Sequence, residues 1–164
     1  MVKKALFLDR DGVINKEINY LFKIEDVEFV PGIFDLCRYF TAKDFLIIVI
    51  TNQAGIARGY YTNDDFQNLT DWMKNEFGKN GIKLEHVYHC PHHPQFSGDC
   101  DCRKPKPGMI LDAQKKFNLD LKHSVLIGDK ISDIESGRSA GVGSNILIKR
   151  NILKPLLENF GLIK

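Results

Sequence analysis

The stretch KALFLDRDGV at residues 4–13 decides the fold class of this chain. Its first five residues are mostly apolar and predict a short buried strand that ends directly before Asp9. Asp9 and Asp11 are two residues apart just past the strand end, so their carboxylates can converge on one site. Gly12 permits a sharp turn as the chain leaves the strand. The competing interpretation is a simple polar turn, and the rest of the chain has to decide between the two.

Strands alternate with helices along the rest of the chain, which is typical of a parallel sheet with helices on both faces. Further strands are predicted at residues 45–50, 87–88, 125–127 and 145–148. Helices are predicted from a Thr62 cap to about Gly78, and at residues 33–40, 109–117 and 131–140. We therefore expect an α/β fold, a Rossmann-like three-layer sandwich with a central parallel sheet, in a single domain over residues 1–150.

Two segments lie outside this pattern. Residues 15–31 are long for a loop, which favours a functional flap. Residues 151–164 are expected to form a C-terminal tail with a short helix that is interrupted at Pro155. No insertion is long enough to build a large cap domain over the sheet.

Composition and charge exclude several classes of protein. Apolar residues make up 43% of the 164 residues and charged residues 27%, which is ordinary for a globular domain. The net charge of +2 is small and the basic residues are scattered, which argues against nucleic-acid binding. The N-terminus lacks the features of a secretory signal, and the longest apolar run, residues 45–50, is too short to cross a bilayer. We expect a cytoplasmic monomer with no nucleic-acid or membrane partner.

Polar side chains directly follow three of the predicted strands. Asp9 and Asp11 follow the first, Thr51 and Asn52 follow the second, and Asp129 follows the strand at residues 125–127. The carboxyl ends of parallel strands lie at one edge of a sheet, and ligands bind there where the strand order reverses. We expect these groups to form one site at that edge.

The residue types in this set suit phosphoryl transfer. Asp9 could attack phosphorus to form an aspartyl phosphate, while Asp11 could protonate the leaving oxygen and then activate water. Thr51 and Lys104 could donate hydrogen bonds to the phosphoryl oxygens. In isolation, Thr51 could instead cap a strand end and Lys104 could be a surface lysine.

Acidic side chains that face a phosphate dianion require a cation, and Mg²⁺ binds carboxylate oxygens. Asp129 is the obvious additional ligand, although it could also cap the following helix. Asp133 lies one helical turn further and could orient the site or could be solvated helix surface.

A second cluster of candidate ligands lies at about residues 90–102. Cys90, His92, Cys100 and Cys102 form a Cys₃His set, which suits a structural Zn²⁺ in a closed tetrahedron. The alternative is a loop whose cysteines pack or oxidise without a metal. His93 is the weaker ligand candidate, and the metal would order a loop that has no apolar core of its own. The remaining thiol, Cys37, lies on the apolar face of a predicted helix and is expected in the core.

As an ordered set, the motifs resemble those of the haloacid dehalogenase-like (HAD) phosphatases over residues 5 to about 148. The matching segments are DRDGV at residues 9–13, TN at 51–52, KP at 104–105 and GD-x-x-x-D at 128–133. The resemblance implies a Rossmann-like sheet, Asp9 as nucleophile and Asp11 as acid/base. It also implies phosphoryl stabilisation by Thr51 and Lys104. The Mg²⁺ ligands it implies are Asp9, Asp129 and the backbone carbonyl of Asp11.

The cysteine-containing loop narrows the resemblance to the heptose-bisphosphate phosphatase and histidinol-phosphatase subgroup, with GIARG at residues 55–59 and His92-His93 closer to the heptose enzymes. This implies hydrolysis of the 7-phosphate of D-glycero-D-manno-heptose 1,7-bisphosphate, in the synthesis of nucleotide-activated heptose for lipopolysaccharide or surface glycans. Histidinol-phosphate hydrolysis is the first alternative, and a non-catalytic switch that accepts phosphate is a remote one. The substrate contacts implied by the resemblance are Glu17, Ile18, Asn19, Tyr20, Asn52, Gln53, Ala54, Arg103 and Lys130.

Two of these positions are special cases. Arg103 suits a second phosphate, because its planar fork can bind two oxygens in parallel. Glu17 stands where the subgroup has aspartate, and Ile18-Asn19 where it has a pair like His-Gly, so the contacts of the flap and the preference between anomers stay open.

Overall fold

Five parallel strands form one sheet in the order β3-β2-β1-β4-β5. The computed structural model describes all residues 1–164. The strands are β1 (Lys4–Leu8), β2 (Phe45–Asn52), β3 (Leu84–Cys90), β4 (Val125–Gly128) and β5 (Ser144–Leu147). The helices are α1 (Ile33–Thr41), α2 (Asn63–Lys79), α3 (Pro94–Ser97), α4 (Gly108–Phe117), α5 (Ile131–Ala140) and α6 (Lys154–Asn159). The predicted α/β fold is confirmed.

The central strand β1 pairs with β2 on one side and with β4 on the other. Leu8 is in register with Val49 of β2 and with Ile127 of β4. The chain builds outward from β1 to β3, then returns and builds outward to β5. The strand order therefore reverses between β1 and β4, and the carboxyl ends of these two strands border the crevice where such sheets bind ligands.

Alternation along β1 divides the core into two layers. Leu6 and Leu8 lie in a cluster with buried side chains from α1, α2 and α6. Ala5 and Phe7 lie in a second cluster with buried side chains from α4 and α5. Because successive residues of a strand point to opposite faces, one short apolar strand anchors both layers of helices. The result is the three-layer sandwich that the sequence predicts.

Local sequence signals account for several element boundaries. Thr62 accepts a hydrogen bond from the Asp65 backbone N–H, and Asp65 accepts one from the Thr62 N–H, which is the capping box that starts α2. The loop predicted between β3 and α4 contains the short helix α3, whose first residue is Pro94. The flap at residues 15–31 contains one 3₁₀ turn, Ile24–Asp26. None of the helices has the length and apolarity needed to cross a membrane.

The segment at residues 151–164 is packed against the body of the protein. Leu153, Leu156 and Leu157 are buried in the same core cluster as Leu6 and Leu8. The predicted interruption at Pro155 is wrong, because this proline lies in the first turn of α6. Proline is tolerated there since the first N–H groups of a helix have no intrahelical acceptor.

We expect this packing to contribute substantially to stability. Leu157→Ala should lower the free energy of unfolding by about 2–5 kcal/mol, because it removes a buried side chain and leaves a cavity. Ile152→Ala is the matched control on the same segment, since Ile152 is 39% exposed, and it should change stability by about 0.5 kcal/mol or less. Urea unfolding followed by circular dichroism measures both values. Equal, small effects would show that residues 151–164 are a dispensable tail.

Candidate active site

A buried lysine lies between two buried carboxylates at the carboxyl edge of the sheet. Lys104 Nζ is 3.0 Å from Asp9 Oδ1 and 2.6 Å from Asp133 Oδ1. It also donates a hydrogen bond of 2.9 Å to the Ile50 carbonyl at the end of β2. The three charged residues are 6% exposed or less. Charges buried to this degree persist only when they are paired, so the triad is a fixed electrostatic unit.

The surroundings of Asp9 make its carboxyl group easier to protonate than an ordinary aspartic acid. Burial raises the pKa of Asp9 to about 8, and repulsion from Asp133, Asp11 and Asp129 adds to the shift, while Lys104 opposes it. Burial alone would lower the pKa of Lys104, but its ion pairs with Asp9 and Asp133 outweigh burial and raise it. A divalent cation beside Asp9 would favour the carboxylate, which is the nucleophilic form.

The acidic groups fit a Mg²⁺ ion. Carboxylate oxygens of Asp9, Asp129 and Asp133 lie within 4.8 Å of one another. Asp129 Oδ1 is buried and has no hydrogen-bond partner, while its Oδ2 accepts from Arg150 Nε at 3.0 Å. A buried oxygen without a partner is costly unless a ligand satisfies it. Asp9 and Asp129 therefore have the geometry of metal ligands.

Asp133 differs from Asp9 and Asp129 because both of its carboxylate oxygens contact other groups of the protein. Its Oδ2 accepts hydrogen bonds of 3.1 Å from the backbone N–H groups of Asp129 and Lys130, at the start of α5. Its other oxygen pairs with Lys104. Asp133 is only 1% exposed, so it is not part of the solvated helix surface. Its contacts orient both Lys104 and the loop that follows β4.

The turn at Gly12 brings the first strand close to Asp129. Gly12 has a φ of +91°, and a Cβ at this position would overlap the carboxylate of Asp129. Both the backbone conformation and the lack of space require glycine here.

Asp11 is held by donors on three side chains. Arg10 pairs with it at 3.1 Å, Asn15 Nδ2 donates to its Oδ1 at 3.0 Å, and Gln53 Nε2 donates to its Oδ2 at 3.1 Å. The side chain lines the same cavity as Asp9. These contacts fix its position two residues from Asp9 at the mouth of the crevice.

Gln53 connects several groups of the site. The same Nε2 that contacts Asp11 donates to Thr51 Oγ1 at 2.9 Å. Its Oε1 accepts hydrogen bonds from Arg10 and from the hydroxyl of Tyr61. Because both ends of the amide are occupied, Gln53 positions Asp11 and Thr51 in addition to facing the cavity.

Asn52 has a positioning contact that the sequence did not reveal. Its Oδ1 accepts from the Lys104 backbone N–H at 3.0 Å, and its Nδ2 donates to the Lys104 carbonyl at 3.2 Å. One amide side chain therefore holds both backbone groups of the residue whose ammonium contacts Asp9. This links the end of β2 to the segment after the cysteine-containing loop.

The site opens into a cavity of about 520 Å³. Of the predicted residues, those that line it are Asp9, Asp11, Glu17, Asn19, Tyr20, Asn52, Gln53, Ala54, Arg103, Lys104 and Lys130. The predicted residues Ile18, Thr51 and Asp129 do not line it. Lining residues that were not assigned to the site are Gly55, Arg58, Tyr61, His93, Pro105, Ser132 and Asp133.

Glu17 has a raised pKa, first because of burial and then because of repulsion from Asp11. Its backbone N–H donates to Asn151 Oδ1 at 2.8 Å, which ties the flap to the segment after β5. The predicted flap is therefore attached to the site on both sides, since Arg10 also donates to the Leu21 carbonyl at 3.1 Å.

Three of the four cysteines cluster as predicted. Cys100 Sγ lies 3.6 Å from Cys90 Sγ and 3.7 Å from Cys102 Sγ. Sulfurs bound at about 2.3 Å in a tetrahedral zinc site are roughly 3.8 Å apart, so both distances fit a shared metal. Cys90 and Cys102, however, are joined by a disulfide, which leaves only Cys100 of the cluster free. His92 is not part of the cluster, and Cys37 is buried in the core as expected.

The parallel sheet, the aspartates beyond β1 and β4 and the buried lysine together define the class of HAD-like hydrolases. The family model of HAD-hydrolase-like proteins matches residues 101–158. The structure of D,D-heptose 1,7-bisphosphate phosphatase from B. bronchiseptica, complexed with magnesium and phosphate, superposes with a TM-score of 0.82 at 29% identity. That comparison covers 94% of this chain and 86% of the other.

Sequence relatives are more specific. A D-glycero-alpha-D-manno-heptose-1,7-bisphosphate 7-phosphatase from Campylobacter jejuni is 55% identical over 148 residues, which cover 90% of this chain and 84% of that protein. A D-glycero-beta-D-manno-heptose-1,7-bisphosphate 7-phosphatase from Pasteurella multocida is 41% identical over 162 residues, covering 96% and 87%. The chain belongs to the D-glycero-D-manno-heptose 1,7-bisphosphate 7-phosphatase family of HAD-like hydrolases, so the predicted resemblance is confirmed.

We expect Mg²⁺ to stabilise the folded protein through Asp129. A ligand that binds only the folded state at 100 times its Kd adds about 2.7 kcal/mol, so the melting temperature of the wild type should rise with Mg²⁺. Asp129→Asn should remove most of this rise, because it replaces the negatively charged carboxylate, whose Oδ1 is buried without a hydrogen-bond partner, by a neutral amide. Asp26→Asn, at an exposed acidic residue of the flap, should respond like the wild type. Equal responses of both variants would contradict a metal site at Asp129.

Proposed function

We propose that this protein is a Mg²⁺-dependent phosphatase that hydrolyses the 7-phosphate of D-glycero-D-manno-heptose 1,7-bisphosphate. The observation that carries the proposal is the 55% identity, over 90% of the chain, to an enzyme of that name. The acidic crevice with a buried lysine supports it independently, because it supplies the groups that phosphoryl transfer requires. The product would feed the synthesis of nucleotide-activated heptose.

The proposed reaction proceeds in two displacements. The Asp9 carboxylate attacks phosphorus, and the bond from phosphorus to the sugar oxygen breaks while Asp11 gives that oxygen a proton. Asp11 then removes a proton from water, the resulting hydroxide attacks phosphorus, and the aspartyl phosphate is cleaved to free phosphate and Asp9. Lys104 balances the charge beside Asp9 throughout, and Asp133 and Asn52 hold Lys104 in place.

Asp9, Asp129 and the Asp11 carbonyl are the proposed Mg²⁺ ligands, and the bound ion would neutralise phosphoryl oxygens. Thr51 is the least directly supported member of the set, because its hydroxyl accepts from Gln53 and does not line the cavity. Its proposed contact with the phosphoryl group remains a prediction, as do the substrate contacts of the flap.

The α anomer is the proposed substrate. The relative named for the alpha anomer is 55% identical to this chain, whereas the one named for the beta anomer is 41% identical. The alternative of histidinol phosphate has no comparable support, and its single phosphate would leave the basic groups Arg103 and Lys130 of the cavity without an anionic partner. A non-catalytic switch would accept phosphate without releasing it repeatedly. We therefore expect multiple turnovers of the substrate to exclude this alternative.

We propose that the cysteine-containing loop binds one structural Zn²⁺ through Cys90, His92, Cys100 and Cys102. The two sulfur distances at Cys100 support the three cysteine ligands, and His92, which lies outside the cluster, would have to approach them when zinc binds. Zinc binding requires Cys90 and Cys102 as thiolates in place of their disulfide, which suits a reducing compartment such as the cytoplasm. A monomeric state remains the expectation.

The nucleophile is tested with Asp9→Asn. The amide cannot form the acyl phosphate, so kcat should fall by about ten-thousand-fold or more. Phosphate release measures the rate, and acid quenching with a labelled substrate should trap a phosphoprotein in the wild type only. Asp26→Asn is the control and should keep full activity. Substantial turnover by Asp9→Asn would contradict covalent catalysis.

The substrate is tested with both anomers of the heptose bisphosphate and with histidinol phosphate. We expect kcat/KM for the α anomer to exceed that for the β anomer by about tenfold or more, the size of effect of one misplaced contact. Histidinol phosphate should be the poorest of the three. A preference for histidinol phosphate would overturn the assignment, and a preference for the β anomer would overturn only the choice of anomer.

The zinc site is tested by elemental analysis of protein purified under reducing conditions. The wild type and Cys37→Ala should each contain about one zinc per chain, whereas Cys100→Ser should lose it because a closed site needs four ligands. Loss of zinc should also lower the melting temperature. A zinc-free wild type that keeps the Cys90–Cys102 disulfide in reductant would refute the proposal.

A further inference from the structure

Arg58 has an unusual position on the wall of the cavity. It lies in the loop between β2 and α2, lines the cavity, and stacks over the ring of Phe96 with 4.8 Å from its guanidinium carbon to the ring centroid. Its Nε is buried and has no hydrogen-bond partner. Stacking on an aromatic ring fixes a guanidinium without using its N–H groups, so those of the two Nη atoms remain available for a ligand.

His93 presents a second donor next to Arg58. The ring Nδ1 of His93 accepts a hydrogen bond of 3.2 Å from the Gln95 N–H at the start of α3, so the neutral ring carries its proton on Nε2.

The Nε2 of His93 lies 3.5 Å from Nη2 of Arg58. Because both atoms carry hydrogens, they cannot satisfy one another. Two donors that converge in this way require a common acceptor, and an anionic oxygen is the acceptor that suits both.

The charges of the cavity are separated. Three of its four acidic groups have cationic partners, since Asp11 pairs with Arg10 and both Asp9 and Asp133 pair with Lys104, whereas Glu17 forms no ion pair. Neither Arg58 nor Arg103 forms an ion pair with any carboxylate of the protein. The wall made by these two arginines therefore carries uncompensated positive charge a short way from the acidic crevice.

We propose that Arg58, assisted by His93, binds the phosphate of the sugar bisphosphate that is not hydrolysed, and so selects bisphosphorylated substrates. The proposal rests on the proposed function and adds a specificity-determining residue to it. The reacting phosphate would lie at Asp9 and Lys104, while the second phosphate accepts hydrogen bonds from Arg58 and His93 and shares the charge of Arg103. The planar fork of Arg58 gives two parallel hydrogen bonds that lysine cannot reproduce.

The inference is tested by comparing heptose 1,7-bisphosphate with heptose 7-phosphate, which lacks the second phosphate. Arg58→Ala should lower kcat/KM for the bisphosphate by about 10- to 100-fold, the range for hydrogen bonds to a charged group. For the monophosphate the change should be about threefold or less. Arg58→Lys should recover part of the loss, and Arg38→Ala, an exposed arginine of α1 paired with Asp35, should match the wild type.

Product inhibition gives a second measurement that does not depend on turnover of the bisphosphate. The inhibition constant of heptose 1-phosphate should rise by a similar factor in Arg58→Ala, whereas that of inorganic phosphate should stay near the wild-type value and confirm an intact reaction site. His93→Asn, which removes the Nε2 donor and keeps a residue that can cap α3, should show a smaller loss of the same kind.

Four outcomes would overturn the inference. Equal losses on both sugar substrates would show that Arg58 only supports the loop, and unchanged kinetics would show that it does not contact the substrate. If inorganic phosphate loses its inhibition as well, the effect is structural. If the wild type itself releases no phosphate from the heptose bisphosphate, the proposed function fails first and this inference fails with it.

Discussion

The site depends on the burial of one positive charge between two negative ones. Lys104 is 4% exposed and contacts both Asp9 and Asp133, and it reaches them from a segment far from either in sequence. Removing Lys104 would leave two buried carboxylates without a cationic partner, which typically costs several kcal/mol. The end of β2 helps to hold this lysine, since the Ile50 carbonyl accepts a hydrogen bond from its ammonium group and Asn52 accepts one from the Lys104 backbone N–H. The same ion pairs therefore fix the geometry of the site and stabilise this part of the fold.

The position of this charge cluster follows from topology. The strand order reverses between β1 and β4, and Asp9 and Asp129 follow the last residues of these two strands. Burial, and after it repulsion from Asp133, Asp11 and Asp129, raises the pKa of Asp9, so a bound cation would stabilise the charged form of its carboxyl group. The fold concentrates negative charge at the one edge where it can be neutralised by a bound ion.

Short-range signals in the sequence predict much of the fold. The limits of β1 and α5 agree with the structure, because an apolar run ends at a polar residue in the first and Gly141, in a left-handed conformation, ends the second. Only the middle of β3 was predicted, since this edge strand carries the polar residues His86 and His89 and its apolar pattern is weak. Pro155 was misjudged because proline has opposite meanings inside a helix and in its first turn.

The location of the site was predictable where a motif puts acidic side chains directly after a strand, as at Asp9, Asp11 and Asp129. It was not predictable where a residue acts through a contact made only in three dimensions. Tyr61 lines the cavity and contacts Gln53, and Arg58 lines it while stacking on Phe96 of α3. Sequence also left open whether Asp133 is functional, and its burial against Lys104 decided that it faces the site.

The turn at Gly12 carries a consequence for how sequence variation in this protein is interpreted. Gly12 has no side chain and takes no part in the reaction. The carboxylate of Asp129, which follows β4, lies where a Cβ of residue 12 would be. Even alanine, the smallest replacement, would displace that acid. A survey of tolerated substitutions would rank this glycine with Asp9 and Asp129, because a side chain at position 12 would occupy the space that the Asp129 carboxylate needs.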